Sequence, residues 1–160
     1  MKRIVGIDPG LNTTGYGVID VSSGRVRLLE AGIVCSRSKD FAERVKEIYD
    51  GVREVIETFH PDTVAMEQLY SHYAHPKTAI LMGHARGCIC LAAAQAGLAV
   101  TSYAATKIKK TLTGSGRAAK DQVQRAIQLE LGLDKIPEPS DVADALAIAL
   151  CAKWERSRKF

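Results

Sequence analysis

The sequence predicts an α/β fold, and three observations carry that reading. Residues 3–8 (RIVGID), 14–20 (TGYGVID) and 25–35 (RVRLLEAGIVC) are strand-like runs separated by glycine-containing turns, the pattern of a β-meander. Residues 41–59 then change to a helical period. After Pro61, strand-like and helix-like runs follow one another, as expected where buried strands are joined through helices.

Each element has its own local cause. From Phe41 to Phe59 the apolar residues Phe41, Val45, Ile48, Tyr49, Val52, Ile56 and Phe59 recur at three- and four-residue steps, so one helical face is apolar. Pro61 ends the pattern. Residues 62–67 (DTVAME) give a short buried strand ending on Glu67, 76–96 a helix rich in alanine and glycine, and 98–103 (LAVTSY) another strand. A short helix over 104–112, a flexible loop over 113–117 (TGSGR) and a helix over 118–131 come next. After a Gly- and Pro-punctuated loop at 132–139, Ser140 is placed to cap a last helix reaching about residue 155. The tail, basic from Lys153, is expected to fray. One domain spans 1–155, leaving 156–160 as the tail.

Composition narrows the class without deciding it. The 160 residues carry 22 basic and 18 acidic side chains, a formal charge of +4 that permits nucleic-acid binding and also suits many other proteins. Cys35, Cys88, Cys90 and Cys151 lack the CxxC spacing of a zinc site and read as buried thiols of a reducing cytoplasm. The apolar start meets Asp8 and Pro9 at once, which is no signal-peptide core. The uncharged run from Gly87 to Thr106 is interrupted by Gln95, Gly97, Thr101 and Ser102, so it reads as a buried helix and a buried strand, with no membrane association.

Carboxylates stand where a core has no use for them. Asp8 closes the first strand, Glu67 the fourth, and Asp141 and Asp144 open the last helix, three apart and therefore on one face. Solvated loop ends and helix-dipole partners are the ordinary roles of such residues, the latter worth about 0.3–1 kcal/mol. Gathering several is costly, because two like charges about 4 Å apart repel by roughly 4 kcal/mol at an effective dielectric near 20. A cation removes the cost. All-oxygen ligation suits Mg²⁺, with Mn²⁺ as substitute, and two ions roughly 3.5–4 Å apart can activate water and stabilise a leaving oxygen.

Basic residues are segregated too. Between Glu67 and Asp121 there is no acidic residue, and Lys107, Lys109, Lys110, Arg117 and Lys120 bracket Gly114 and Gly116. Solvated helix faces would explain them one by one; together they suit a phosphate-facing surface. His72 and His75, beside Tyr70 and Tyr73, imitate a metal pair but run into Pro76 and read as exposed imidazoles of a loop. Arg86, within an apolar helix, either pairs with an acid or reaches DNA.

The segments GIDPG and TGYGVI within 6–19, AMEQLY at 65–70, GHARG at 83–87, KIKKTLTGSGRAAKDQV at 107–123 and DVADALAIA at 141–149 resemble the RuvC family of Holliday-junction resolvases, in order and spacing over almost the whole chain. The resemblance implies an RNase H-like fold with a mixed five-stranded sheet flanked by helices. It also implies a homodimer that nicks four-way junction DNA symmetrically with Mg²⁺, in partnership with a branch-migration motor. The family's four acids fall on Asp8, Glu67, Asp141 and Asp144, its lysines near the scissile phosphate on Lys109 and Lys120, and its junction-facing aromatic on Tyr70. Some relatives carry Phe at the last position, and some carry His where Asp141 stands, which leaves open how metal binding and proton transfer divide between Asp141 and Asp144.

Two other readings share parts of this pattern. An actin-like or sugar-kinase ATPase also opens on an acidic glycine turn, but needs a second lobe for which 160 residues leave no room. A non-catalytic junction-binding module would use the basic stretch and have no need of four acids.

Overall fold

The computed structural model describes residues 1–69 and 75–157. The meander is present as β1 (Lys2–Asp8), β2 (Thr13–Ser22) and β3 (Arg25–Cys35). It is followed by α1 (Phe41–Phe59), β4 (Thr63–Glu67), α2 (Pro76–Gln95), β5 (Ala99–Tyr103), α3 (Ala105–Thr113), α4 (Lys120–Leu131) and α5 (Ser140–Ser157). The strands form one sheet in the order β3-β2-β1-β4-β5. It is mixed: β2 runs antiparallel to β1 and β3, and β4 runs parallel to β1 and β5.

Alternation along the central strands divides the core into two layers. Val5, Ile7, Val64 and Met66 pack with α1 and α2 on one face, whereas Ile4 and Ala65 pack with α3, α4 and α5 on the other. Asp8 has the parity of Ile4 and Gly6, and Glu67 the parity of Ala65. Both acids therefore belong to the α5 face. α1 starts where Asp40 accepts a hydrogen bond from the Glu43 N–H at 3.0 Å, and it buries Ile48, Val52, Val55 and Ile56.

α5 lies directly on β1 and β2 because glycines clear its path. A β-carbon on Gly6 would stand 2.2 Å from the Ala145 carbonyl oxygen, and one on Gly15 only 2.0 Å from that of Asp141. Since Gly15 is the register partner of Asp8, this contact brings the first turn of α5 to the end of β1. Gly15→Ala should lower both the unfolding midpoint and the cleavage rate: the clash is with backbone, and such overpacking costs about 1–3 kcal/mol or more. A thermal melt beside a cleavage assay checks this, and a variant with native stability and rate would refute it. Gly10 serves a narrower purpose, because a β-carbon there would meet the Thr13 carbonyl oxygen at 2.1 Å within the same turn.

At the far end of the sheet a buried acid fastens the strands. Asp20 is 4% exposed and pairs with Arg3 at 2.8 Å and Arg27 at 3.2 Å, while Arg3 also donates to the Phe59 carbonyl. The hydrogen bond from Arg3, reinforced by Arg27, holds the Asp20 carboxyl below its ordinary pKa, so its contribution is complete above about pH 4 and lost as pH falls through the depressed value. Asp20→Ala leaves a half-buried guanidinium without its acid and should cost roughly 3 kcal/mol at neutral pH, measured by denaturant unfolding, and less as pH falls through the depressed value.

Several expectations change on folding. β5 is an edge strand with Ala99 and Ser102 exposed, and α2 turns the apolar Ile80 and Leu91 outward, so the 87–106 run is not wholly buried. Cys35 is exposed because it ends the edge strand β3, and Cys90 is half-buried; Cys88 and Cys151 are buried, and burial pushes both of these thiols up. Ser140 is the first residue of α5 instead of its cap. That helix continues to Ser157, and Lys153, expected in a frayed tail, is buried and paired with Glu130. Among the described residues, no helix is long and apolar enough to cross a membrane.

Candidate active site

The ends of β1 and β4 lie side by side, one step beyond the Ile7–Met66 register pair, and present Asp8 and Glu67 on the same face. The start of α5 crosses above them with Asp141 and Asp144. The four acids are near enough to feel one another. Burial, followed by repulsion from Asp144, Glu67 and Asp141, pushes the Asp8 carboxyl up to about 7, with Lys120 opposing the rise. Glu67 is also raised, first by burial and then by Asp144, against the opposing charges of Lys109 and Arg86. Among the described residues no three side chains are drawn into a closed metal cage, as suits like charges that keep their distance.

This donor set fits a hard divalent cation. Its side chains offer only oxygen, and the strained ionisation of Asp8 is what a neighbouring cation relieves.

Two of the candidate lysines converge on the same place. Lys109 and Lys120 line a cleft of about 280 Å³ with Glu67 and Asp144, floored by Ala105, Ile108, Val123 and Ala147. Lys120 Nζ stands 3.5 Å from Asp144 Oδ2. It is the first residue of α4, where the helix dipole disfavours a cation, so its position is better explained by the acids it faces. Gly114 supplies the left-handed turn (φ +82°) that ends α3 and lets the chain return as α4.

Other predicted residues stand apart from the cleft or outside the description. Lys107 pairs with Glu155 at 2.9 Å, while Lys110 and Arg117 are exposed. Tyr70 and His72 lie outside the described residues, and His75 is exposed just before α2. Arg86, which sequence left between two roles, donates to the Glu67 carbonyl and to Ser102 Oγ. Gly15 was missed as a site residue: its role depends on α5, more than a hundred positions away in the chain, which local spacing does not encode.

The family model described as crossover junction endodeoxyribonuclease RuvC matches residues 4–152. A protein of that name from Rhodopirellula baltica is 55% identical over 94% of this chain and 85% of its own length. Another from Moorella thermoacetica is 44% identical over 98% and 96%. The Thermus thermophilus RuvC in complex with Holliday junction substrate superposes with a TM-score of 0.91 and 37% identity, over 99% of this chain and 97% of that one. The yeast mitochondrial resolvase Ydc2, 14% identical with a TM-score of 0.67, shares the fold. With the match extending through both strand-end acids and the α5 pair, the chain belongs to the RuvC family of crossover junction endodeoxyribonucleases.

Proposed function

We propose that this chain, as a single RNase H-like catalytic domain, resolves four-way DNA junctions by hydrolysing one phosphodiester in each of two symmetric strands. The site assignment is supported by the charges of Glu67, Asp141 and Asp144 acting on Asp8, and by the cleft that Glu67 and Asp144 line together with Lys109 and Lys120. The four acids would hold Mg²⁺, or Mn²⁺ in its place, as two ions per site. When bound, the metal supplies a water activated for attack and neutralises charge at the leaving oxygen. Asp8 enters the reaction as carboxylate, so its proton, retained to about pH 7 by burial and repulsion, must leave first. Lys120 and Lys109 lie where they can meet the non-bridging oxygens of the phosphate. Lys110, Arg117 and Lys107 supply phosphate contacts farther out, and Tyr70 stacks on an unpaired base.

A homodimer follows from the substrate and is supported by α2. Two equivalent strands call for two equivalent sites related by a two-fold axis. Ile80, Gly83, Gly87 and Leu91 fall on one side of α2; Ile80 is 63% exposed, Leu91 52%, and both glycines have open space where a β-carbon would be. Exposed His84 shares this side of the helix and Lys77 stands one turn before Ile80; the rest of the stripe is small or apolar, and a second copy of the same helix suits it in size. Leu91→Asp should turn a dimer into a monomer in sedimentation equilibrium and lose paired nicking, while leaving the fold intact. A wild-type monomer at micromolar concentration would overturn the dimer. A cytoplasmic site of action beside a branch-migration motor completes the reading.

The direct test is cleavage of an immobile four-way junction and a linear duplex with Mg²⁺, Ca²⁺ or EDTA. Symmetric nicks in the junction alone, and with Mg²⁺ alone, are expected. Junction binding with no cleavage under any metal would reduce the protein to a binding module.

A further inference from the structure

Arg86 approaches the site from behind. It projects from α2, on the face of the sheet opposite α5, and reaches the C-terminal ends of two parallel strands. One guanidinium nitrogen donates to the backbone carbonyl of Glu67. The other donates to Ser102 Oγ at 3.1 Å. Ser102 is the register partner of Met66, so one planar group ties the last residue of β4 to β5. On the following residue, the Gln68 N–H donates to the Tyr103 carbonyl at 2.8 Å, and the peptide that carries Glu67 is thus held at its end as well.

We propose that Arg86 is a positioning residue: by clamping the Glu67 peptide from the rear of the sheet, it fixes where the Glu67 carboxylate stands for a divalent cation, and it does not itself touch DNA. The proposal rests on reading Glu67 as a metal ligand. A planar fork serves a carbonyl on one strand and a hydroxyl on the next with two separate nitrogens in fixed geometry; a lysine's three donors share one nitrogen on a flexible stem and fix neither. Ser102 chooses this rotamer by parity, since its side chain points to the same face as Met66 and α2. Two of the guanidinium nitrogens of Arg86 are engaged by the protein, and these bonds hold the group against the strand ends at the rear of the sheet.

The test compares Arg86→Ala, Arg86→Lys and Ser102→Ala with the wild type in metal binding, junction binding, cleavage and stability. Ca²⁺ binding to DNA-free protein is measured by calorimetry, junction binding in EDTA by gel shift, and the Mg²⁺ dependence of single-turnover cleavage alongside a thermal melt. Outer partners of metal ligands typically contribute 10–100-fold to affinity, so Arg86→Ala should weaken Ca²⁺ binding about tenfold and raise the Mg²⁺ needed for half-maximal cleavage by a similar factor. Junction affinity in EDTA should not change. Arg86→Lys should recover only part of the loss, and Ser102→Ala, which keeps the charge and one anchor, should show a smaller effect in the same direction if Arg86→Ala does not fold. Native Ca²⁺ affinity in any folded Arg86→Ala protein, or in Ser102→Ala where that variant does not fold, overturns the proposal. So does a loss of junction affinity in EDTA with a shallower salt dependence, the signature of a lost phosphate contact. If the wild type binds no Ca²⁺, the four-acid reading itself has failed and this inference falls with it.

Discussion

Asp8→Asn should abolish cleavage and at the same time make the metal-free protein more stable at pH 8. The two effects have one cause. In the folded chain the Asp8 carboxyl is pushed from an ordinary value of 3.8 up to about 7, chiefly by burial and then by the three other acids. A raised folded pKa means that the native state holds this proton more tightly than the unfolded chain does. Stability is therefore lost as pH climbs from about 4 to about 7, with a loss of no more than about 4 kcal/mol above that window. The amide carries no charge to bury and repels none of its neighbours. If roughly 2–3 kcal/mol is recovered, the melting midpoint at pH 8 should rise by about 4–12 °C for a chain of this size. At pH 4 the variant and the wild type should nearly coincide. Cleavage should fall by roughly 10²–10³-fold or more, as when a principal transition-state stabiliser is removed, while junction binding in EDTA persists. Equal midpoints at both pH values would show that Asp8 is not strained, and retained cleavage would remove it from the site.

The same strain gives metal binding a pH dependence. A cation must displace the Asp8 proton below about pH 7, so affinity should weaken as pH falls through that value and level off above it. Excess metal should move the acid limb of the cleavage rate to lower pH.

Much of this site could be read before any coordinates, for a reason that lies in strand geometry. Asp8 and Glu67 end apolar runs, and the two-residue period of a strand then fixes the face on which each appears. Asp141 and Asp144 are linked by helical spacing in the same way. Lys109 and Lys120 were legible only through resemblance, since nothing in a basic stretch distinguishes the two that meet the acids from Lys107, which pairs with Glu155. Nothing local marks Gly6 and Gly15 as the places where α5 comes down on the sheet, because that approach is set by tertiary packing. Arg86 was undecidable for a related reason: its partners, Glu67 and Ser102, are 19 and 16 positions away on two different strands. The outward half of α2 was misread as core because an outward apolar helix face and a buried one have the same composition.

Lys120→Ala and Lys109→Ala should separate from each other as well as from the loss of any surface lysine. A lysine that merely attracts DNA lowers affinity, and its rate returns once the protein is saturating; one that faces the reacting phosphate lowers the single-turnover rate even then. For both variants the saturated rate should fall by roughly 10²-fold, within the range found when one donor to developing charge is removed. Their pH profiles should differ. Lys120 opposes the rise in the Asp8 pKa, whereas Lys109 opposes the rise at Glu67. Removing Lys120 therefore leaves Asp8 harder to ionise, and the acid limb of the rate, set near pH 7 at limiting Mg²⁺, should move to higher pH. Removing Lys109 should lower the rate and leave that limb in place, because Lys109 acts on Glu67 and not on Asp8. Measuring single-turnover rates from pH 5.5 to 9 at limiting and at excess Mg²⁺ distinguishes these cases. If saturation restores both variants, the lysines are binding residues; if both limbs move together, the acids respond as one network and the pairing of Lys120 with Asp8 is wrong.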